Sequence, residues 1–141
     1  MRCTKENTAT NPGYLRLFSH FILIFTYLYL QQHDLVSDPI TEKFDLIFSR
    51  HTLMHLFFTD IEKVLKNFIA SGSSYLLMTS QSNQNNKDIS SERLYKARYR
   101  PVNFFKPPFS LPAPICVGKD TNKKDMFIIL YELSSIRSKA F

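Results

Sequence analysis

The segment 44–80 constrains the fold of this chain most, because it combines two apolar stretches with an amphipathic one in strand–helix–strand order. Residues 44–48 form a near-continuous apolar run, which is typical of a strand covered on both faces in a parallel sheet. Apolar residues then recur at helical spacing from Ile61 to Phe68. Residues 75–79 form a second apolar run. This order predicts a right-handed β–α–β unit with two parallel strands.

Local signals predict where the elements around this unit begin and end. Thr59 and Glu62 have the Thr-x-x-Glu spacing of a capping box at a helix N-terminus. Gly72 stands where a helix commonly ends at a glycine. We predict a last strand over residues 126–133, with a polar connection over 118–125 before it. The proline-rich stretch 101–114 is not expected to be helical.

Length, charge and cysteine content limit the classes of protein to which this chain can belong. The 141 residues suffice for one domain with a moderate core. The net charge of +6 permits weak attraction to anionic partners, but a solvated basic surface accounts for it. Cys3 and Cys116 suggest neither a disulfide framework nor a zinc site. We therefore predict a reducing, cytoplasmic location.

The N-terminal region leaves two alternatives open. We predict a disordered stretch over 1–13 and an apolar segment over 14–33, with a strand at 25–30 and a possible helix before it. The apolar run is shorter than the ~20 residues that a membrane-spanning helix needs. A membrane anchor or signal segment over residues 15–30 is therefore the disfavoured alternative to a buried strand or helix. Residues 34–136 are predicted to form the domain, with a mobile polar loop at 81–91 and a tail at 137–141.

Several short stretches, in order, resemble class I S-adenosylmethionine-dependent methyltransferases. They are residues 34–39 (DLVSDP), 44–50 (FDLIFSR), 55–56 (HL), 99–103 (YRPVN), 107–109 (PPF) and 126–133 (MFIILYEL). The resemblance implies an α/β fold: a partial Rossmann-like methyltransferase sheet of about four strands, parallel except for an antiparallel C-terminal strand. Such open sheets bind ligands at the carboxyl ends of their parallel strands.

The resemblance also implies a cofactor, S-adenosylmethionine, and residues that bind it. Asp34 matches the acidic position that contacts the adenine amino group, and Leu35 follows it. Ser49 and Arg50 match the positions after the strand that lie near the reactive methyl group. Two structural interpretations stay open: Asp34 as a loop or cap residue, and Arg50 paired with a neighbouring acid.

Catalytic and substrate residues follow from the same alignment of stretches. His51 also lies near the methyl position, and a histidine there is a candidate general base. Arg100 and Asn103 belong to the stretch that resembles the substrate-covering part. His51 and His55 share one helical face if the segment is helical, but no third ligand is evident, and we predict no metal.

The sequence departs from the family in the first half of the cofactor site. Only Gly13 precedes Asp34, and it does not match the family's glycine-rich loop. The acidic residue that holds the ribose is also missing. We therefore expect a truncated, methyltransferase-like protein, with a non-catalytic fragment or interaction protein as one alternative and a membrane-anchored protein as another. The methyl acceptor, a small molecule or a protein, stays open. A nucleic-acid partner is not expected, because the basic and aromatic residues over 93–106 fit a solvated face.

Overall fold

The computed structural model describes residues 2–3, 29–83, 85–88, 99–120 and 125–137. These residues form an α/β fold with one mixed sheet. The strands are β1 (Arg2–Cys3), β2 (Leu46–Ser49), β3 (Tyr75–Gln81), β4 (Cys116–Lys119) and β5 (Met126–Glu132). The helices are α1 (Phe58–Ala70) and α2 (Leu133–Arg137), with a short 3₁₀ helix at Leu53–His55.

The sheet has the strand order β1-β4-β5-β3-β2. Strands β2 and β3 are parallel, with Leu46 opposite Tyr75 and Ser49 opposite Met78. Strand β5 is antiparallel to both β3 and β4. The parallel pair and the antiparallel last strand predicted from the sequence are therefore confirmed.

One face of the sheet, which we call the helix face, is covered by both helices. Leu76 and Met78 of β3 lie in one buried cluster with the apolar stripe of α1 and with Leu133 and Ile136 of α2. The two helices also contact each other. The core therefore includes the space between the helix face and the helices, and residues of the connections 53–54 and 102–111 also belong to it.

The N-terminus of α1 is capped from elsewhere in the chain. The helix begins at Phe58, and its N-cap residue, Phe57, makes no side-chain capping bond. The amide of Phe58 donates to the carboxylate of Asp88, with N–O distances of 3.2 and 3.3 Å. The predicted capping box at Thr59 is wrong, because Thr59 already lies inside the first turn and a distant acid binds the free amide.

The C-terminus of α1 ends as predicted. Ser71 is the C-cap residue, and Gly72 follows in the left-handed region with φ of 71°. No atom lies within 4 Å of a Cβ added at Gly72, so space does not exclude a side chain there. The glycine is needed for its backbone conformation alone.

Replacing Gly72 by alanine should therefore lower the free energy of unfolding by about 1 kcal/mol, because a Cβ strains the left-handed backbone. Urea denaturation followed by circular dichroism measures this difference. Gly72→Asn is the matched control, since asparagine tolerates this conformation and should recover most of the loss. Equal losses in both variants would show that the backbone angle is not the cause.

Three predicted boundaries are wrong. Gly118 and Lys119 belong to β4 rather than to a polar connection. This strand has only four residues and contains a glycine, so it carries no pattern of its own. Gln81 completes β3 rather than starting a loop, and the predicted β5 strand ends at Glu132 because Leu133 begins α2.

The N-terminal predictions are tested only in part. Arg2 and Cys3 form β1, so these two residues are not disordered. Tyr29 and Leu30 have no regular structure and are each 82% exposed, so they do not belong to the predicted strand. Residues 4–28 and 138–141 lie outside the described residues. No helix in the described part of the chain is long and apolar enough to cross a membrane.

The cysteine prediction is also wrong. Cys116 is disulfide-bonded, and the pairing of β1 with β4 places Cys3 directly opposite it. The two residues are more than a hundred positions apart, so only the sheet reveals their proximity. Cysteine content therefore gives no support for a reducing compartment, and a cytoplasmic location stays a prediction.

Candidate functional site

A cleft with a volume of about 390 Å³ lies beside β2, which is one of the two edge strands of the sheet. One wall is β2 with its neighbours Phe44 and Thr52, and Phe68 of α1 contributes from the helix face. The segment 31–42 contributes the other lining residues, which are Gln31, His33, Leu35, Ile40, Thr41 and Glu42. The cleft size falls in the range of about 300–1,000 Å³ that is typical of small-molecule sites.

Ser49 is the polar residue of β2 in this cleft. It is 6% exposed, and its hydroxyl has no hydrogen-bond partner among the described residues. A buried hydroxyl without a partner costs about 1–3 kcal/mol relative to a bonded one. A ligand in the cleft that hydrogen-bonds to Ser49 Oγ would remove this cost.

Asp34 and Leu35 have different positions relative to the cleft. Leu35 lines it, whereas Asp34 does not. The Asp34 carboxylate accepts hydrogen bonds from the Ser37 hydroxyl (2.7 Å) and the Val36 amide (2.9 Å). These bonds, the Ser37 bond first, lower the pKa of Asp34 below its ordinary value. In this structure Asp34 therefore stabilises the turn that contains Leu35, and Leu35 lines the cleft.

The same turn is attached to α1. The side-chain amide of Asn67 donates to the carbonyl oxygen of Leu35 at 2.9 Å and to that of Asp38 at 3.3 Å. The backbone of Leu35 thus has a fixed position because α1 holds it through Asn67. The part of the cleft lining that contains Leu35 is therefore attached to the helix.

Glu42 and His33 also line the cleft, and the sequence analysis did not find them. Glu42 is the one acidic side chain among the lining residues. Both residues lie in an exposed segment without regular structure, so no periodicity marks them. A carboxylate at this place can accept hydrogen bonds from hydroxyl or amino groups of a ligand.

A polar cluster, formed by Arg50, His51, Thr79 and Asp120, lies where β2, β3 and β4 end. We call it the Asp120 cluster. Arg50 Nε donates to Asp120 Oδ1 at 2.7 Å. His51 Nε2 and the Thr79 hydroxyl both donate to Asp120 Oδ2, at 2.7 and 3.0 Å. The Asp120 side chain is only 2% exposed, so its charge is neutralised mainly by these groups.

The pKa of Asp120 follows from two opposing effects. Burial raises it, but the hydrogen bonds from Arg50, Thr79 and His51 outweigh burial. The net pKa therefore lies below the ordinary value for an aspartate. Asp120 is accordingly an ionised acceptor at neutral pH.

The cluster fixes the orientation and tautomer of His51. Its backbone has φ of 55°, in the left-handed region that non-glycine residues rarely adopt, and its amide donates to Thr79 Oγ1 at 3.2 Å. Because an ionised carboxylate only accepts, His51 Nε2 carries the hydrogen. In the neutral ring, Nδ1 is then the atom that can accept a proton.

Arg50 and His51 both bond to an acid that the sequence analysis missed. Asp120 lies about seventy residues away from both, directly after the unrecognised β4 strand. The interpretation of Arg50 as an ion-paired residue agrees with this contact. No local signal could have identified Asp120, because its partners meet it only through the sheet.

The two predicted substrate residues lie away from the cleft lining and are buried. Arg100 is 4% exposed, and its guanidinium lies over the Phe58 ring at 4.5 Å. Asn103 donates from its amide to the Asn83 carbonyl at 2.8 Å and accepts from the Phe105 amide at 3.0 Å. Both ends of the Asn103 side chain are therefore used within the chain. Contact of either residue with a substrate stays a prediction.

His51 and His55 do not form a pair. His51 Nε2 bonds to Asp120, whereas the exposed His55 ring lies 6.0 Å from the Tyr99 ring. Within the described residues, no group of three histidine, cysteine, aspartate or glutamate side chains could hold a metal ion.

Comparisons of this chain with protein-family models, with curated proteins and with solved structures found no match. The methyltransferase resemblance therefore stays a hypothesis.

Proposed function

We propose that this chain is a methyltransferase-like protein that binds S-adenosylmethionine in the cleft beside β2. The observation that carries the proposal is the Ser49 hydroxyl, which lines a ligand-sized cleft and has no partner among the described residues. Leu35, a second residue expected to contact the cofactor, lines the same cleft. An antiparallel C-terminal strand beside a parallel pair is also what the resemblance implies.

The chemistry of the lining suits a nucleoside with a cationic side chain. Leu35 and Phe48 offer apolar surface for a planar base, and Phe48 is 59% exposed along the cleft. Glu42 can accept hydrogen bonds from hydroxyl or amino groups and favours a positive ligand. Ser49 Oγ can donate or accept one bond. These residues therefore fit the cofactor that the resemblance implies.

When bound, S-adenosylmethionine supplies an electrophilic methyl group. The residues after Ser49 would act on the acceptor of that group. His51 Nδ1 can take the proton that a nucleophile loses, and Asp120 stabilises the resulting imidazolium through Nε2. The positions of Arg50 and Thr79 against Asp120 hold the ring in place for this role.

Binding of S-adenosylmethionine does not by itself imply that this chain transfers the methyl group. The glycine-rich loop of the family has no counterpart in the sequence, so part of the usual cofactor contact is missing. This observation favours cofactor binding without transfer as the second candidate function. Methyl transfer to added acceptors is the measurement that separates the two.

Calorimetric titration of the full chain with S-adenosylmethionine tests the proposal. We expect saturable binding in the micromolar range, and adenosine should compete because it fills the same apolar wall. Absence of heat up to millimolar cofactor would overturn the proposal. A thermal shift on ligand addition provides an independent readout, since a ligand that binds only the folded state raises its stability.

Ser49→Ala should change stability and affinity in opposite directions. Removing an unpartnered buried hydroxyl should leave the free energy of unfolding unchanged or raise it by about 1 kcal/mol. Cofactor affinity should fall about fivefold, which corresponds to one lost hydrogen bond of about 1 kcal/mol. Denaturation and titration of the same preparation measure both.

Ser134→Ala is the matched control, because Ser134 lies exposed on α2, outside the cleft. It should alter neither quantity measurably. A Ser49→Ala variant that loses stability and keeps its affinity would contradict the assignment of Ser49 to the ligand.

A further inference from the structure

The Asp120 cluster uses only part of the hydrogen-bonding capacity of its two basic side chains. Arg50 bonds to Asp120 through Nε, and within the described part of the chain its terminal Nη1 and Nη2 make no hydrogen bond. His51 bonds to Asp120 through Nε2, which leaves Nδ1 of the neutral ring as an acceptor. The cluster therefore has two donors and one acceptor that no described group satisfies.

The free ends of both side chains can be reached from solvent. The side chains of Arg50 and His51 are 45% and 38% exposed, whereas the Asp120 side chain that binds them is 2% exposed. The bonded nitrogens therefore face the buried acid, and the remaining nitrogens lie on the outer side. Because Asp120 already restrains both side chains, a ligand that binds them loses less of its binding free energy to side-chain ordering.

These free groups match a particular kind of ligand. The two terminal nitrogens of a guanidinium fit the two oxygens of a carboxylate. The free nitrogen of a neutral histidine accepts a hydrogen bond from a hydroxyl or amino group. Because both side chains bond to the same carboxylate of Asp120, their free ends lie within the length of one small molecule. We propose that Arg50 and His51 together bind a small molecule that carries a carboxylate and a neighbouring hydroxyl or amino group.

The charges of the cluster favour a carboxylate over a phosphate. Arg50 and the ionised Asp120 form a pair with no net charge. A bound carboxylate adds one negative charge near Asp120, whereas a phosphate monoester adds about 1.5 to 2. Repulsion by Asp120 grows in proportion to the charge of the ligand. The site therefore fits an anion with a single negative charge.

A carboxylate of this kind can come from two sources, and the choice between them rests on the proposed function. Ser49 and Thr52, on either side of Arg50 and His51 in the chain, line the cleft. The ligand is then the methyl acceptor or the amino-acid end of S-adenosylmethionine. An acceptor would give an electron pair from its hydroxyl or amino group to the methyl carbon. The bond from that carbon to sulfur would break with its electrons on sulfur, and the proton would pass to His51 Nδ1.

An NMR titration of the full chain without S-adenosylmethionine tests the inference, with L-lactate and 3-hydroxybutyrate as probes. We expect saturable shifts at the amides of Arg50, His51 and Asp120, with a dissociation constant of about 1–10 mM, which ligands of this size can reach. Propionate lacks the hydroxyl group and should bind about fivefold more weakly than lactate. Methyl lactate lacks the negative charge and should not bind.

Arg50→Gln should weaken lactate binding at least about tenfold. Glutamine Nε2 has the same place along the side chain as arginine Nε, so the bond to Asp120 Oδ1 can persist while the terminal nitrogens and the charge are removed. Lys66→Gln is the matched control, because it removes one positive charge from the exposed surface of α1 and should leave the affinity unchanged. If Arg50→Gln does not fold, Arg50→Lys decides: it keeps the charge without the bidentate pair and should bind lactate about fivefold more weakly.

His51→Gln separates the two halves of the site. Glutamine can still donate a hydrogen bond to Asp120 but has no counterpart of Nδ1. The affinity for lactate should fall to that for propionate, and the affinity for propionate should stay unchanged. A merely structural role of His51 would instead change both affinities together.

Three results would overturn the inference. Methyl lactate could bind as well as lactate, lactate affinity could be unchanged in Arg50→Gln, or inorganic phosphate could bind more tightly than lactate. The first two would show that Arg50 does not bind a carboxylate, and the third would assign the site to a different class of anion.

A lactate titration at saturating S-adenosylmethionine distinguishes the two sources of the carboxylate. Simultaneous binding assigns the site to the methyl acceptor, and competition assigns it to the amino-acid end of the cofactor. Lactate binding in a chain that does not bind S-adenosylmethionine would overturn the proposed function and leave the carboxylate site in place. Cofactor binding without lactate binding would do the reverse.

Discussion

Asp120→Asn should lower the free energy of unfolding by about 2 kcal/mol at pH 7, because it replaces a buried carboxylate that accepts three hydrogen bonds. Oδ1 accepts from Arg50, and Oδ2 accepts from His51 and Thr79. An asparagine amide group must replace one of these oxygens. It then points hydrogens at a group that also donates, whichever way the side chain turns.

The difference should depend on pH with a defined sign. The folded-state pKa of Asp120 lies below its ordinary value of 3.8. The stability that the carboxylate contributes is therefore fully present above the unfolded-state pKa and is lost as pH falls through the lower folded-state pKa. Urea denaturation at pH 7, 5 and 3 should show the two proteins converging only at the acid end.

Asp60→Asn is the matched control for the Asp120 variant. Asp60 forms a surface ion pair with Lys63 at 3.2 Å, and such pairs contribute at most about 1 kcal/mol. An Asp120→Asn difference that stayed constant from pH 7 to pH 3 would show that the carboxylate charge is not its source.

Arg100→Met should raise the free energy of unfolding by about 2 kcal/mol, although it removes a buried charge. Arg100 is 4% exposed, and its Nε, Nη1 and Nη2 have no hydrogen-bond partner among the described residues. Burial lowers the pKa of Arg100, and the Asp88 carboxylate at 3.4 Å opposes this effect. Burial of the Arg100 charge is therefore compensated only in part, by the contact with Asp88.

Methionine suits the site because it has a similar length and makes favourable contacts with aromatic rings. The ring in question is that of Phe58, which lies 4.5 Å from the guanidinium carbon. Asp88 would keep its hydrogen bonds to the Phe58 amide, so the helix cap survives. Chemical denaturation measures the gain.

Lys66→Met is the control, since it removes an exposed positive charge from α1 and should change stability by less than about 0.5 kcal/mol. A loss of stability in Arg100→Met would mean that the guanidinium is bonded to groups outside the described residues. Cofactor affinity should not change, because Arg100 does not line the cleft.

The parts of this fold that the sequence predicts are those with a local cause. The β2–α1–β3 unit follows from apolar periodicity, and the end of α1 follows from one glycine. The start of α1 was predicted wrongly because its cap, Asp88, lies thirty residues downstream. Strand β4 was missed for a similar reason: its short, glycine-containing sequence becomes a strand only through pairing with β5.

In the candidate site, too, some residues have a local sequence signal and others are identified only by the tertiary structure. Ser49, Arg50 and His51 could be selected from the sequence, because they match positions of the resembled family and stand at the carboxyl end of an apolar strand. Glu42 and Asp120 could not, since neither lies in a periodic segment. Arg100 and Asn103 were selected by resemblance, and the structure shows both engaged in buried contacts within the chain.

Residue order by itself determined that this chain builds a parallel β–α–β unit, because hydrophobic periodicity acts over a few neighbouring residues. Tertiary structure alone decided that Asp120 joins Arg50 and His51 and that Cys116 faces Cys3. These contacts join residues far apart in the chain. Their formation depends on how strands order themselves in the sheet, which no local pattern encodes.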